Sequence, residues 1–169
     1  MYSLWLKPDK ASLRELNTLL TTWSEPSAQA QFEPHITLLT GIQLSEQQAA
    51  RLSKTFAAQV QAFSLRLLRI TYLESFYRCL FFRSEDTPLL FDLRQQSLLH
   101  FNVEAGVEPF VPHLSFLYGN VPRFKQEDFD NNTTEDESHF TLRFDALQLV
   151  KTELSPEFWA VQLSLPLQA

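Results

Sequence analysis

An internal repeat constrains this chain more than any other feature. Pro34-His35-Ile36-Thr37-Leu38-Leu39-Thr40-Gly41 returns as Pro112-His113-Leu114-Ser115-Phe116-Leu117-Tyr118-Gly119, with four of eight positions identical and Ile/Leu and Thr/Ser exchanges that keep the chemistry. The two histidines stand 78 residues apart in a chain of 169, the spacing that a duplicated half-domain produces. Side chains at i and i+2 of a strand share a face. His35 and Thr37 therefore point one way while Ile36 and Leu38 point into a core, and His113 and Ser115 repeat the arrangement. If the halves pack about a pseudo-twofold axis, two imidazoles and two hydroxyls meet in one cleft. The same parity turns Tyr118 away from that cleft unless the strand ends or bulges before Gly119.

Such a cleft suits a small phosphorylated ligand. Imidazole gives or takes a proton near neutral pH, and a hydroxyl can donate a hydrogen bond to a non-bridging phosphoryl oxygen. Opening a cyclic phosphate with water needs a base for the water's proton and an acid for the departing ribose oxygen, each worth about 10²–10⁴-fold. We read His35 and His113 as that catalytic pair, with Thr37 and Ser115 holding the phosphoryl oxygens and no metal or cofactor required. His113 is assigned as base and His35 as acid, an order that the near-symmetry of the motif leaves interchangeable.

Competing chemistry is poorly supported. A lone histidine in an apolar strand is usually a satisfied core residue, but two copies in matched frames are not explained that way. His100 and His139 have no such frame and are expected to be surface or packing residues. No third His, Cys or carboxylate falls in zinc-ligand spacing. There is no Gly-x-Ser-x-Gly elbow and no Gly-rich phosphate loop, and the chain has three glycines in all. Cys79 sits in an apolar run and is expected to be buried and inert.

The rest of the chain reads as a mixture of strands and helices. A short strand at 2–6 closes at Pro8, and Asp9 can cap a helix with Leu13, Leu16, Leu20 and Trp23 on one face. The first motif strand spans 32–39 and ends at Gly41. Ser45 and Gln48 form a capping box for a helix burying Ala49, Leu52, Phe56 and Val60. Strands at 64–72 and 78–82 flank a turn at 74–76. Thr87-Pro88 starts a helix carrying Leu90, Leu93, Leu98 and Phe101. The second motif strand spans 109–118, residues 126–138 read as a solvated loop or frayed helix, and alternation at 140–146 and 161–165 gives two more strands. The fold class is α+β, over a single domain 1–169.

Fourteen Lys and Arg against 20 Asp and Glu give a net charge of −6, which argues against a long nucleic-acid partner. A small cyclic phosphate is the expected partner, held where the local field opposes the global one. One cysteine allows no intrachain disulfide. The first residues lack a signal-peptide pattern and no apolar run approaches the ~20 residues of a membrane helix. A cytoplasmic monomer without membrane contacts is expected.

The paired His-x-[Ser/Thr] motifs resemble the signature of the 2H phosphoesterase superfamily. Tyr2-Ser3-Leu4-Trp5, Phe76-Tyr77-Arg78-Cys79-Leu80-Phe81, the second octapeptide, and Lys151-Thr152 before Trp159 are similar to its plant and yeast cyclic phosphodiesterase branch. The resemblance implies two pseudo-symmetric lobes, each an antiparallel sheet with flanking helices, around a central cleft. It implies hydrolysis of ADP-ribose 1″,2″-cyclic phosphate to the 1″-phosphate and of nucleoside 2′,3′-cyclic phosphates to 2′-phosphates, a task in the metabolism of tRNA-splicing by-products. It also implies catalytic and phosphate-binding positions at His35, Thr37, His113 and Ser115, with Tyr118 at the cleft and Trp5 against the base. The rivals are an RNA-end-processing relative of the 2′–5′ RNA ligase type, which would need a basic, aromatic-lined track, and a nucleotide-binding module without turnover.

Overall fold

Each helix begins where the sequence supplies a start signal. The Asp9 carboxylate accepts a 2.7 Å bond from the Ser12 amide at the head of α1 (Lys10–Thr21), and this bond holds the Asp9 carboxyl below its usual range. Ser45 and Gln48 form the expected capping box at α2 (Glu46–Ala57). Pro88 opens α3 (Pro88–Phe101), where Thr87 makes no side-chain cap bond and its buried Oγ1 has no partner among the described residues. Asn102, at φ 51°, ends α3 in the left-handed conformation that asparagine tolerates. The structure, a computed structural model, describes residues 1–21, 33–73, 75, 78, 80–118, 140–153 and 155–169. Trp23, His139, Cys79, Gly119, most of the expected turn at 74–76 and the segment 126–138 lie outside the described residues.

The strands are β1 (Tyr2–Pro8), β2 (His35–Ile42), β3 (Phe63–Tyr72), β4 (Leu80–Ser84), β5 (His113–Leu117), β6 (Phe140–Lys151) and β7 (Ala160–Pro166). All their pairings are antiparallel. The order is β1-β2-β5-β4-β3-β6-β7, and β1 also pairs with β6. Six strands thus form a closed circuit, with β7 lying along the second half of β6. Exchanging β1 with β4, β2 with β5 and β3 with β6 carries the circuit onto itself, with β2–β5 and β3–β6 each mapped onto itself. The duplicated motif therefore belongs to a duplicated lobe: β2-β1-β6-β7 on one side, β5-β4-β3 on the other.

One face of the sheet is apolar and packs on the helices. Leu4 and Leu6, Ile36, Leu114, Phe82, Leu142 and Phe144 join Leu16, Ala49, Phe56, Leu90 and Leu93 in a single buried cluster. Trp5, Phe81 and Tyr118 are equally buried but stand outside that cluster; strand parity puts Trp5 and Phe81 on the other face, and Tyr118 joins them through a bulge in its strand. Val60 is buried just beyond the end of α2, not within it. His100 packs between Phe56 and Phe101 and approaches the Leu52 carbonyl at 3.0 Å, a packing residue as expected.

Several strand boundaries differ from expectation: β6 runs on from the expected 146 to Lys151 and β4 from 82 to Ser84, and the motif strands differ for local reasons. β2 runs through Gly41 to Ile42, with Gly41 at φ +82°, so this glycine kinks the strand instead of ending it. β5 begins at His113, not 109: Pro112 has no amide hydrogen to give to a ladder, although its carbonyl still accepts from the Ser84 amide at the end of β4. No helix among the described residues is long and apolar enough to cross a membrane.

Candidate active site

The two motif strands meet each other. In the β2–β5 ladder His35 lies opposite Ser115 and Ile36 opposite Leu114, and one further step of that register sets Thr37 opposite His113. Each histidine thus faces the hydroxyl of the other copy, with the pseudo-twofold axis passing between Ile36 and Leu114. The flanking strands repeat the symmetry. Trp5 lies opposite Thr37 and Leu6 opposite Ile36, as Phe81 lies opposite Ser115 and Phe82 opposite Leu114. The repeat therefore extends beyond the octapeptide to an aromatic residue on the preceding strand of each lobe.

Both lobes carry the same β-bulge. Leu4 pairs with Leu39 but Trp5 with Thr37, so Leu38 is the extra residue on β2. Leu80 pairs with Leu117 but Phe81 with Ser115, so Phe116 is its counterpart on β5. The extra residue resets strand parity. Thr40 and Tyr118, each five residues after a motif histidine, consequently line the same cavity as Thr37 and His113. The Leu38 carbonyl at the first bulge accepts a 2.8 Å hydrogen bond from Arg94 of α3.

Each imidazole is oriented by its own chain. His35 Nδ1 lies 2.7 Å from the Glu33 carbonyl and His113 Nδ1 lies 2.7 Å from the Val111 carbonyl. A carbonyl can only accept, so Nδ1 carries hydrogen in both, and the neutral ring has its lone pair at Nε2. The environments then diverge. His35 is 2% exposed and stacks on the Trp5 indole, with ring centroids 3.5 Å apart and planes 10° from parallel. Burial pushes its pKa down to about 3, helped by the charges of Lys7 and His113 and opposed by the bond to Glu33. His113 is only partly buried and meets Phe81 edge-on at 5.3 Å. Its pKa is lowered too, first by burial and further by the Arg78 charge.

Between the lobes lies a cavity of about 680 Å³, within the ordinary range for a small-molecule site. Of the six residues singled out from the sequence, Trp5, Thr37, His113 and Tyr118 line it. His35 and Ser115 sit just behind, 2% and 3% exposed, joined to the wall by the β2–β5 register. Several lining residues escaped the sequence reading. Arg78 is one, and it is the only lysine or arginine among the described lining residues. Ser3, Thr40 and Thr152 form a hydroxyl cluster, with Ser3 Oγ 3.0 Å from Thr40 and 2.9 Å from Thr152. Trp159 tilts against both Trp5 and Tyr118, and Glu153 at the rim pairs with the N-terminal amine at 2.7 Å. Thr40 was findable, since it occupies the position of Tyr118 in the repeat; Thr152 and Trp159 stood in a segment that carried the family resemblance but were given no role from it. Among the described residues no three His, Cys, Asp or Glu side chains gather as a metal-binding group.

A circuit of antiparallel strands that brings two His-x-[Ser/Thr] motifs together about a twofold axis defines the 2H phosphoesterase class. The sequence model for cyclic phosphodiesterase-like proteins matches residues 1–168, and the chain belongs to that family, as a phosphodiesterase enzyme. It is similar to the cyclic phosphodiesterase of Arabidopsis thaliana, 24% identical over 156 residues that cover 90% of this chain and 86% of the plant protein. The fold is shared with a protein of Thermus thermophilus (TM-score 0.68, 17% identity, covering 99% and 98% of the two chains). It is shared as well with Escherichia coli LigT complexed with 3′-AMP (TM-score 0.67, 13% identity, covering 99% and 98%).

Proposed function

We propose that this enzyme hydrolyses cyclic phosphates on ribose without a metal, taking ADP-ribose 1″,2″-cyclic phosphate to the 1″-phosphate and nucleoside 2′,3′-cyclic phosphates to 2′-phosphates. One observation carries the reading: the β2–β5 register that sets each motif histidine against the hydroxyl of the other copy, with Thr37 and His113 at the wall of the cavity and His35 and Ser115 just behind it. The phosphoryl group would sit on the pseudo-twofold axis, with Thr37 and Ser115 donating to its non-bridging oxygens. One Nε2 takes a proton from the attacking water, a hydroxide equivalent adds to phosphorus, and the other imidazolium returns a proton to the ribose oxygen as its bond to phosphorus breaks. Protons and charge balance over the cycle. In the free protein burial favours the neutral form of both imidazoles. The arriving phosphodiester anion favours protonation of one of them, so ligand binding itself prepares the acid.

Further support comes from the residues around the axis. Arg78 supplies the permanent positive charge that an acidic protein needs where an anion is to bind. Trp5, Tyr118 and Trp159 offer an aromatic wall suited to a nucleoside. The test is phosphorus NMR of the products formed from both substrates in excess chelator. Conversion to one monoester, abolished by His35→Ala and by His113→Ala, is the expected result. Absence of turnover on either substrate, with turnover of oligonucleotide ends instead, would replace this reading with an RNA-end activity.

A further inference from the structure

Among the described residues, a buried charge sets the two lobes apart. Lys7 on β1 is 5% exposed, and its ammonium lies 2.8 Å from the Glu33 carboxylate and 3.2 Å from the Pro34 carbonyl. Burying a lysine is costly even when it is paired, and an apolar side chain would fill the position without that cost. Burial lowers the Lys7 pKa while the Glu33 partner opposes the shift. The bond to Lys7 holds the Glu33 carboxyl below its usual range, and Gln148 of β6 bonds the same carboxylate.

The pseudo-twofold mate explains what the ammonium does. In the second lobe the Pro112 carbonyl, just before His113, accepts from the Ser84 backbone amide at 3.2 Å. Trp5 corresponds to Phe81, so Ser84 corresponds to Pro8, three residues on in each strand. Proline has no amide hydrogen. The equivalent carbonyl, that of Pro34, therefore lacks the backbone donor that serves Pro112, and the Lys7 ammonium stands in its place. Arg83, the residue at the Lys7 position of β4, is exposed and lies opposite His113.

We propose that Lys7 is a positioning residue that acts through His35. By gripping the Glu33 carboxylate and the Pro34 carbonyl together, it fixes the peptide segment whose Glu33 carbonyl accepts the His35 Nδ1–H bond, and so sets the tautomer and ring plane of that histidine. The importance of this for turnover rests on the phosphodiesterase reading above. Among the described residues, the charged groups that act on His35 include Lys7 from β1 and His113 from β5. Trp5 covers one ring face and Gln148, opposite Trp5 on β6, adds no charge. The strap is confined to the first lobe, so only one histidine should respond to its loss.

Nitrogen NMR of protein labelled at histidine tests this in wild type and in Lys7→Met. Wild-type His35 should be a single Nδ1–H tautomer that stays neutral through the neutral range. In Lys7→Met it should become a mixture of tautomers and titrate closer to the ordinary histidine value, with His113 unchanged. Turnover should fall about 10- to 100-fold in kcat, the usual effect of losing a partner that orients a ligating or catalytic side chain, with KM within about twofold. If Lys7→Met fails to fold by circular dichroism, Glu33→Ala removes the exposed anchor of the strap and the same spectra are read. A single Nδ1–H tautomer with unchanged titration in the variant would overturn the proposal. The spectra do not depend on turnover: activity surviving His35→Ala would sink the acid–base reading of that residue and leave the positional result to stand on its own.

Discussion

His35 and His113 occupy the same place in two copies of one motif and yet live in different surroundings. The Nδ1 bonds to their own chain are identical at 2.7 Å, but one ring lies under an indole and the other opens to the cavity. Replacing either by alanine is expected to cut kcat by about 10²–10⁴-fold while circular dichroism stays native. An aryl phosphodiester separates the two roles, because its leaving group departs without a proton. The variant lacking the acid should regain much of its turnover on that substrate and the variant lacking the base should not; two equally unresponsive variants would contradict divided roles. Arg78→Gln should lower kcat/KM by about 10-fold or more, as expected when a charged partner of a phosphoryl group is lost, and should flatten the salt dependence of substrate capture. The four motif residues were legible from the sequence because a duplicated short motif is a local signal. The role of Arg78 was not: its hexapeptide carried the family resemblance, but nothing in the neighbouring residues says which cavity the side chain reaches.

Among the elements, the two bulged strands matter most. Plain alternation turns Tyr118 away from His113, and the bulge at Phe116 brings it back to the cavity, as the bulge at Leu38 does for Thr40. Arg94 reaches from α3 to the Leu38 carbonyl at 2.8 Å while its guanidinium stacks 5.5 Å from the Phe110 ring centre. Arg94→Met should therefore cost about 1–3 kcal/mol in urea unfolding, the penalty for stripping a partly buried carbonyl of a charged donor. Gly41 sits at φ +82° with nothing within 4 Å of where a Cβ would be. Gly41→Ala should lose about 1 kcal/mol through backbone strain alone; an unchanged denaturation midpoint would mean that the strand relaxes away from this kink. Helix starts were readable because caps and proline act within one turn. Strand ends were less so, since β2 and β5 are bounded by pairing partners that lie far away in sequence.

At the scale of the whole molecule, neutral buried imidazoles link folding to pH. The His35 pKa is lowered in the folded protein from 6.5 to about 3, so below about pH 6.5 the unfolded chain binds a proton that the native state refuses. Its contribution to stability is full above that pH and is lost as pH falls toward 3, with a slope approaching about 1.4 kcal/mol per pH unit for one proton. His113 acts in the same direction. Urea unfolding at about pH 7 and about pH 5 should show wild type losing stability and His35→Gln losing distinctly less; parallel losses would mean that other groups govern the acid limb. The sequence by itself determined the mixed α+β class, the duplication, the helix caps, and the two histidines with their hydroxyls, because periodicity, capping and a repeated motif are written over a few neighbouring residues. The tertiary structure alone decided that the six strands close into one circuit, that each histidine faces the other copy's hydroxyl, that a bulge rather than parity governs Tyr118, and that Lys7 serves where Pro8 cannot. Those facts depend on which strand lies beside which, and strand pairing joins residues whose separation along the chain carries no local trace.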